Sequence, residues 1–236
     1  MSARLDIADL HVRFDQAHIL QGVTLGLDGA PLSLVGRNGM GKSTLCHAIM
    51  GMVATHKGRV ELNGKNITGL GSNQVARSGI ALVPQGRRMF PSLSVHEHLL
   101  LVARSRRQPW TIERVYETFP RLAERRRNGG NQLSGGEQQM LAISRALLMN
   151  PRVVIMDEPS EGLAPVIVDH LIETLRKIAA EGMGVLLIEQ NMRVATAVSD
   201  RVAIMVTGRI ATTMSSRELE ADHDAQRRYL GVSHGH

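Results

Sequence analysis

The chain reads as an α/β fold with a mainly parallel sheet, an antiparallel β subdomain at its N-terminus and an inserted α-helical subdomain. Three observations predict this. Short, largely apolar runs (PLSLVG at 31–36, VVIM at 153–156, VLLI at 185–188) alternate with helical patterns, as parallel strands covered on both faces require. The first 30 residues instead alternate apolar and polar side chains, in LDIADLHVRF and ILQGVTLGL, which fits antiparallel strands with one wet face. From about Ser94 to Asn128 the pattern turns helical and arginine-rich.

In chain order, PLSLVG is a buried strand running into a glycine-rich turn, and a helix follows from Lys42 to about Gly51. RVELNG and GIALVPQ read as further strands. TIERVYETFPRLAERRR is helical with a break at Pro120, and GGNQ at 129–132 leads back to the core. A helix at about 135–149, the strand VVIM and a helix near 166–180 come next. The strand VLLI, a short helix and two edge strands near 201–213 complete the pattern. The expectation is one domain over 1–236, with its core in 1–93 and 133–236 and the helical subdomain in 94–132.

Composition narrows the class. At 236 residues and 43% hydrophobic content, the chain can bury a full core without disulfides or metals. No apolar run approaches the roughly 18 residues of a membrane span, and MSARLDIADL lacks the long apolar stretch of a signal peptide. The single cysteine, Cys46, fits a reducing compartment and a buried apolar role. The expected location is therefore the cytosol, or a membrane reached through partners. Ten arginines against four glutamates between Arg87 and Arg127 account for the whole net charge of +6. That segment is either a solvated helical face or a docking surface for an anionic partner. Its few aromatics, Phe90, Trp110, Tyr116 and Phe119, are a thin supply of stacking platforms for nucleic acid.

Three motifs carry chemistry. GRNGMGKS, Gly36 to Ser43, matches the phosphate-loop pattern and sits between a buried strand and a helix, where that loop works. Its glycines let backbone N–H groups face phosphate oxygens, and the helix N-terminus adds a positive dipole end. Lys42 then reaches the β- and γ-phosphates, and the Ser43 hydroxyl reaches Mg²⁺. VVIMDE ends a buried strand in two carboxylates: Asp157 orients Mg²⁺ through water, and Glu158 serves as general base for the attacking water. In LSGGEQQ, Ser134 and Glu137 form an S-x-x-E capping box, and Gly135 and Gly136 leave a helix N-terminus open to an anion.

These motifs, in this order, resemble those of the ATP-binding cassette ATPases, and the resemblance covers essentially the whole chain. It implies a P-loop NTPase core that binds ATP and Mg²⁺ and hydrolyses ATP. It also implies a head-to-tail dimer, in which each ATP lies between one subunit's phosphate loop and the other's signature residues, Leu133, Ser134, Gly135, Gly136, Glu137 and Gln138. The nucleotide-binding set is then Gly36, Arg37, Asn38, Gly39, Met40, Gly41, Lys42, Ser43 and Thr44, with Phe14 stacking on adenine and Gln85 joining Ser43 and Asp157 at the metal. VPQGRRMFPSLSV, YETFPRLAERR, LSGGEQQMLAISRALL, DEPSEGLAP and IEQN look like the ATPase subunits of branched-chain amino acid importers, as does the chain's early end at YLGVSHGH. Such a subunit works at the cytoplasmic face of the inner membrane. Its partners are two permeases, a second ATPase (a sister chain or a second copy) and, indirectly, an extracytoplasmic binding protein.

Two positions depart from the broad cassette pattern. Ala164 stands where the loop after the DE strand usually carries an aspartate, and Gln190 stands where most cassettes carry a histidine. A glutamine at the latter position is common in the amino acid importer subgroup. It orients the γ-phosphate but cannot titrate. Urea importers and lipopolysaccharide exporters are the nearest alternative classes. A soluble cassette acting on nucleic acid is a weaker reading, because the chain has a single phosphate loop and a single LSGGEQQ. A regulatory subunit without turnover is disfavoured by the intact Glu158. His96 and His98 are two apart, and His223, His234 and His236 sit in the C-terminal tail; neither group reads as a metal site.

Overall fold

The computed structural model describes residues 3–103 and 108–230. Strands β1 (Arg4–Phe14) and β2 (Ala17–Asp28) pair as an antiparallel hairpin. Leu5, Ile7, Leu10 and Val12 of β1 are buried with Leu20, Val23, Leu25 and Leu27 of β2. An irregularity between Ile7 and Leu10, with Asp9 at φ 49, keeps the apolar set on one face although the spacing slips by one residue.

Then follow β3 (Leu32–Val35), α1 (Lys42–Ile49), β4 (Lys57–Leu62), β5 (Lys65–Asn66), α2 (Ser72–Ser78) and β6 (Ile80–Val83). The helical stretch comprises α3 (Val95–Leu100), α4 (Ile112–Thr118) and α5 (Pro120–Glu124). Pro120 opens α5 in its first turn, where the missing N–H costs nothing, so the chain breaks at Phe119. The remainder is α6 (Gly135–Leu148), β7 (Val153–Asp157), α7 (Pro165–Ala180), β8 (Gly184–Glu189), α8 (Met192–Val198), β9 (Arg201–Val206), β10 (Arg209–Ser215), α9 (Ser216–Ala221) and α10 (His223–Ala225).

Two sheets form. The smaller is antiparallel, in the order β2-β1-β4-β5; the larger has the order β10-β9-β3-β8-β7-β6 and is parallel except for β10. The apolar runs are explained by burial on both faces. In β7, Val153 and Ile155 pack toward α1 and the small sheet, while Val154 and Met156 pack toward α6 and α7. Leu186 and Ile188 of β8 alternate with Val185 and Leu187 in the same way. Val95, Leu99, Val115, Phe119 and Leu122 of the helical stretch join the second of these cores through Met140 and Leu141 of α6.

The expectation of two edge strands near 201–213 needs correction. β9 lies inside the sheet, parallel to β3 and antiparallel to β10, so of these two strands β10 alone is an edge. Val202 to Met205 are buried in succession, which an interior strand demands. The sequence reading also missed α2, which buries only Val75 and so shows no apolar stripe. Among the described residues, no helix is long and apolar enough to cross a membrane.

Candidate active site

The parallel register sets where the chemistry sits. Val35 pairs with Glu189, and Asp157 pairs with Ile188, so three strands deliver their carboxyl ends to one rim. Phe14, Asn38, Lys42, Ser43, Gln85, Glu158, Glu161 and Gln190 line a cavity of about 430 Å³ there. A larger cavity, about 530 Å³, is lined by Trp110, Arg152 and Met183 near the amino ends of β7 and β8, away from this rim.

The phosphate loop leaves β3 at Gly36, where a Cβ would come within 2.5 Å of the Met205 carbonyl oxygen. Gly41 caps α1 at φ 99, a conformation that needs glycine. Lys42 is only 4% exposed. Its ammonium donates to the Gly36 carbonyl at 2.7 Å and the Arg37 carbonyl at 3.1 Å, and lies 3.2 Å from Glu158 Oε1.

Asp157, also 4% exposed, ends β7. Burial pushes its carboxyl pKa up, opposed by a hydrogen bond from Ser43. Among the described residues, its Oδ1 is buried without a partner. An unpaired buried carboxylate oxygen beside a serine hydroxyl fits a hard divalent cation. Glu158 follows at φ 50, a strained setting for a non-glycine residue, and its N–H donates to the Ile188 carbonyl at 2.9 Å. The Gln190 amide donates to Glu158 Oε1 at 2.9 Å and Oε2 at 3.0 Å, and also to Asn38 Oδ1.

Glu189, at 2% exposure, does something different. Its Oε1 accepts the Ser160 N–H at 3.0 Å, and its Oε2 accepts those of Gln190 at 3.2 Å and Asn191 at 3.3 Å. Burial raises its carboxyl pKa, against the pull of these donors.

The cavity thus gathers Phe14, the phosphate loop, Gln85, Glu158 and Gln190, with Asp157 reached through Ser43. It does not gather Leu133 to Gln138. Ser134, Gly136 and Glu137 line a separate cavity with Phe119, Val166 and His170. The capping box forms there: Ser134 N–H donates to Glu137 Oε2 at 2.8 Å, and Glu137 N–H donates to Ser134 Oγ at 3.3 Å. Leu133 is buried in the core, and Gln138 donates to the Gly130 carbonyl.

Sequence reasoning missed Glu161, Arg87 and Glu189. Glu161 accepts from Gln85 at 2.8 Å. Arg87 donates to the Glu161 carbonyl at 3.1 Å, and its guanidinium lies against Gly135. In the arginine-rich segment Arg114 pairs with Glu181, Arg121 with Glu124 and Arg125 with Glu137, while Arg121, Arg125, Arg126 and Arg127 all stay exposed. Arg104, Arg106 and Arg107 lie outside the described residues, as do His234 and His236. His98 is buried, accepting the Phe90 N–H, whereas His96 meets the Tyr116 hydroxyl, so the two rings point apart. Cys46 is fully buried, and burial pushes its thiol pKa well up.

A lysine held against backbone carbonyls at a strand-to-helix glycine turn, with carboxylates arriving from the neighbouring strand, is the layout of a P-loop ATPase. Comparison with known proteins narrows that class. The protein-family profile described as "ABC transporter" matches residues 20–161, more than half of the chain, and the chain belongs to this family as an ATP-hydrolysing cassette. It is 38% identical over 206 residues to the high-affinity branched-chain amino acid transport ATP-binding protein BraG of Pseudomonas aeruginosa, covering 86% of this chain and 88% of that one. It is 30% identical over 236 residues to the lipopolysaccharide export system ATP-binding protein LptB of Escherichia coli, covering 97% and 98%. A nucleotide-free ATP-binding cassette from an ABC transporter shares its fold, with a TM-score of 0.84 at 23% identity over 98% of this chain and 100% of that one.

Proposed function

We propose that the chain is the ATPase subunit of an importer for branched-chain or other hydrophobic amino acids. The observation that carries the reading is the cleft joining buried Lys42, Glu158 and Gln190, in a chain whose relatives include BraG and a probable branched-chain amino acid transport ATP-binding protein of Archaeoglobus fulgidus. The LptB relatives, with nearly full coverage, favour lipopolysaccharide export as the second reading.

In the proposed mechanism, adenine stacks on Phe14, and residues 36–44 wrap the phosphates. Lys42 exchanges Glu158 for the β- and γ-phosphate oxygens, which frees the Glu158 carboxylate to take a proton from the attacking water. Ser43, Asp157 and Gln85 would hold Mg²⁺, which neutralises phosphate charge when bound. Gln190 holds Glu158 and donates to the γ-phosphate as a neutral amide. The N-terminus of α6, with Ser134 exposed, would receive the ATP of a second ATPase subunit, which explains why Leu133 to Gln138 stand apart from the chain's own phosphate loop.

Residues 94–132 then form the helical subdomain against which the permease subunits dock, supported by exposed Leu100 and Leu101 within it and exposed Phe90 just before it. This places the chain on the cytoplasmic face of the inner membrane through those permeases, with an extracytoplasmic binding protein as an indirect partner and no nucleic acid. Co-expression with the permeases encoded beside it tests the reading. An assembled complex whose ATPase rate rises with leucine-loaded binding protein supports it; assembly with lipopolysaccharide-export permeases, or salt-sensitive RNA retention without membrane subunits, contradicts it.

A further inference from the structure

We infer that Glu161 is the positioning residue for Gln85, its carboxylate holding the NH₂ corner of the Gln85 amide so that only the carbonyl oxygen is available to a cation. The inference rests on the proposed metal–nucleotide reading of the cleft. Gln85 Nε2 lies 2.8 Å from Glu161 Oε2 and 3.3 Å from Glu158 Oε2. Both neighbours are carboxylates, which accept but do not donate, so chemistry alone fixes which corner faces them. The reversed amide would set its carbonyl oxygen against two carboxylates.

Among the described residues, no other hydrogen bond holds the Gln85 side chain: the residue is exposed and precedes three successive left-handed residues, Gly86 at φ 82, Arg87 at φ 58 and Arg88 at φ 43. Glu161 is itself braced. Its N–H donates to the Glu158 carbonyl at 3.2 Å, and its own carbonyl accepts from Arg87 at 3.1 Å. The loop that begins at the proposed general base thereby orients the glutamine facing it across the cleft. An outer partner that sets the orientation of a metal-binding group tunes the affinity of that group.

Manganese binding, followed by electron paramagnetic resonance in the presence of a β,γ-imido ATP analogue, tests this on the full chain. Glu161→Ala is expected to raise the Mn²⁺ Kd about tenfold. The same variant should bind the analogue normally in EDTA and melt at the wild-type temperature. Glu161→Gln, whose amide can turn its oxygen toward Gln85, should fall between the two. Equal Mn²⁺ affinity in all three proteins overturns the assignment, as does a matching loss of nucleotide affinity in EDTA. If the wild-type chain with the analogue takes up no Mn²⁺, the underlying reading of the cleft fails and takes this one with it.

Discussion

Strands β7 and β8 lie side by side, run the same way and end alike: VVIM-Asp-Glu and VLLI-Glu-Gln. Burial raises the pKa of the first carboxyl in both, Asp157 and Glu189. Their surroundings differ. The loop after β8 turns back on itself, so Glu189 receives N–H groups from Gln190 and Asn191 and a third from Ser160. The loop after β7 turns away, because Glu158 at φ 50 sends its N–H to Ile188, and Asp157 keeps an unpaired oxygen. One strand-end acid is a brace, and the other keeps an oxygen open, as the proposed metal role requires. Backbone direction after the acid, rather than the acid itself, decides which.

The largest effect that sharpens the contrast is expected from Asp157→Asn. Steady-state hydrolysis should fall by at least about a hundredfold, since charge stabilisation by a bound cation is worth several kcal/mol. Stability should not fall with it. As pH drops, the raised pKa makes folded Asp157 take up its proton before the unfolded chain does, so its contribution to stability declines as pH rises through that raised range. Urea unfolding of the metal-free proteins across mild acid to neutral pH should show a shallower decline in the variant.

Glu189→Ala should act in the opposite sense, costing about 1–3 kcal/mol in urea unfolding for the buried Ser160 N–H it strands, with less for the more accessible Gln190 and Asn191. A variant as stable as wild type would break the contrast. Next, Gln190→Ala should slow kcat by about tenfold, less than the roughly hundredfold or more that the general base itself supplies, while Gln190→His keeps most of the rate. Equal activity in the alanine variant would reduce Gln190 to scaffolding.

The smallest effects concern the helices that follow the two strands. Asn191 caps α8 with its side chain at the Val194 N–H, whereas Ala164 at the head of α7 offers no cap. Ala164→Asp should therefore raise stability by about 1 kcal/mol and Asn191→Ala should lower it by a similar amount, both read by thermal unfolding.

Much of this frame was legible in the sequence, because it rests on short-range rules. Runs of four apolar residues announced β7 and β8, and the spacing of Ser134 and Glu137 announced the cap of α6. The phosphate loop was readable because glycine turn, lysine and helix are contiguous. β9 was misplaced at an edge because the order of strands in a sheet is set by crossovers that local periodicity does not encode. Glu161, Arg87 and Glu189 were illegible for a related reason. Their roles follow from the left-handed turns at Glu158 and at residues 86–88, which aim side chains and N–H groups across tens of positions in sequence.

The central claim is that Glu158 is the base of a composite ATP site completed by a second ATPase subunit. Glu158→Gln tests it most directly, with hydrolysis and sedimentation measured together in MgATP. The account predicts retained ATP binding, a rate reduced by at least about a hundredfold and a stable dimer that dissociates when ATP is removed. A Glu158→Gln protein that hydrolyses ATP at the wild-type rate and remains monomeric would contradict it.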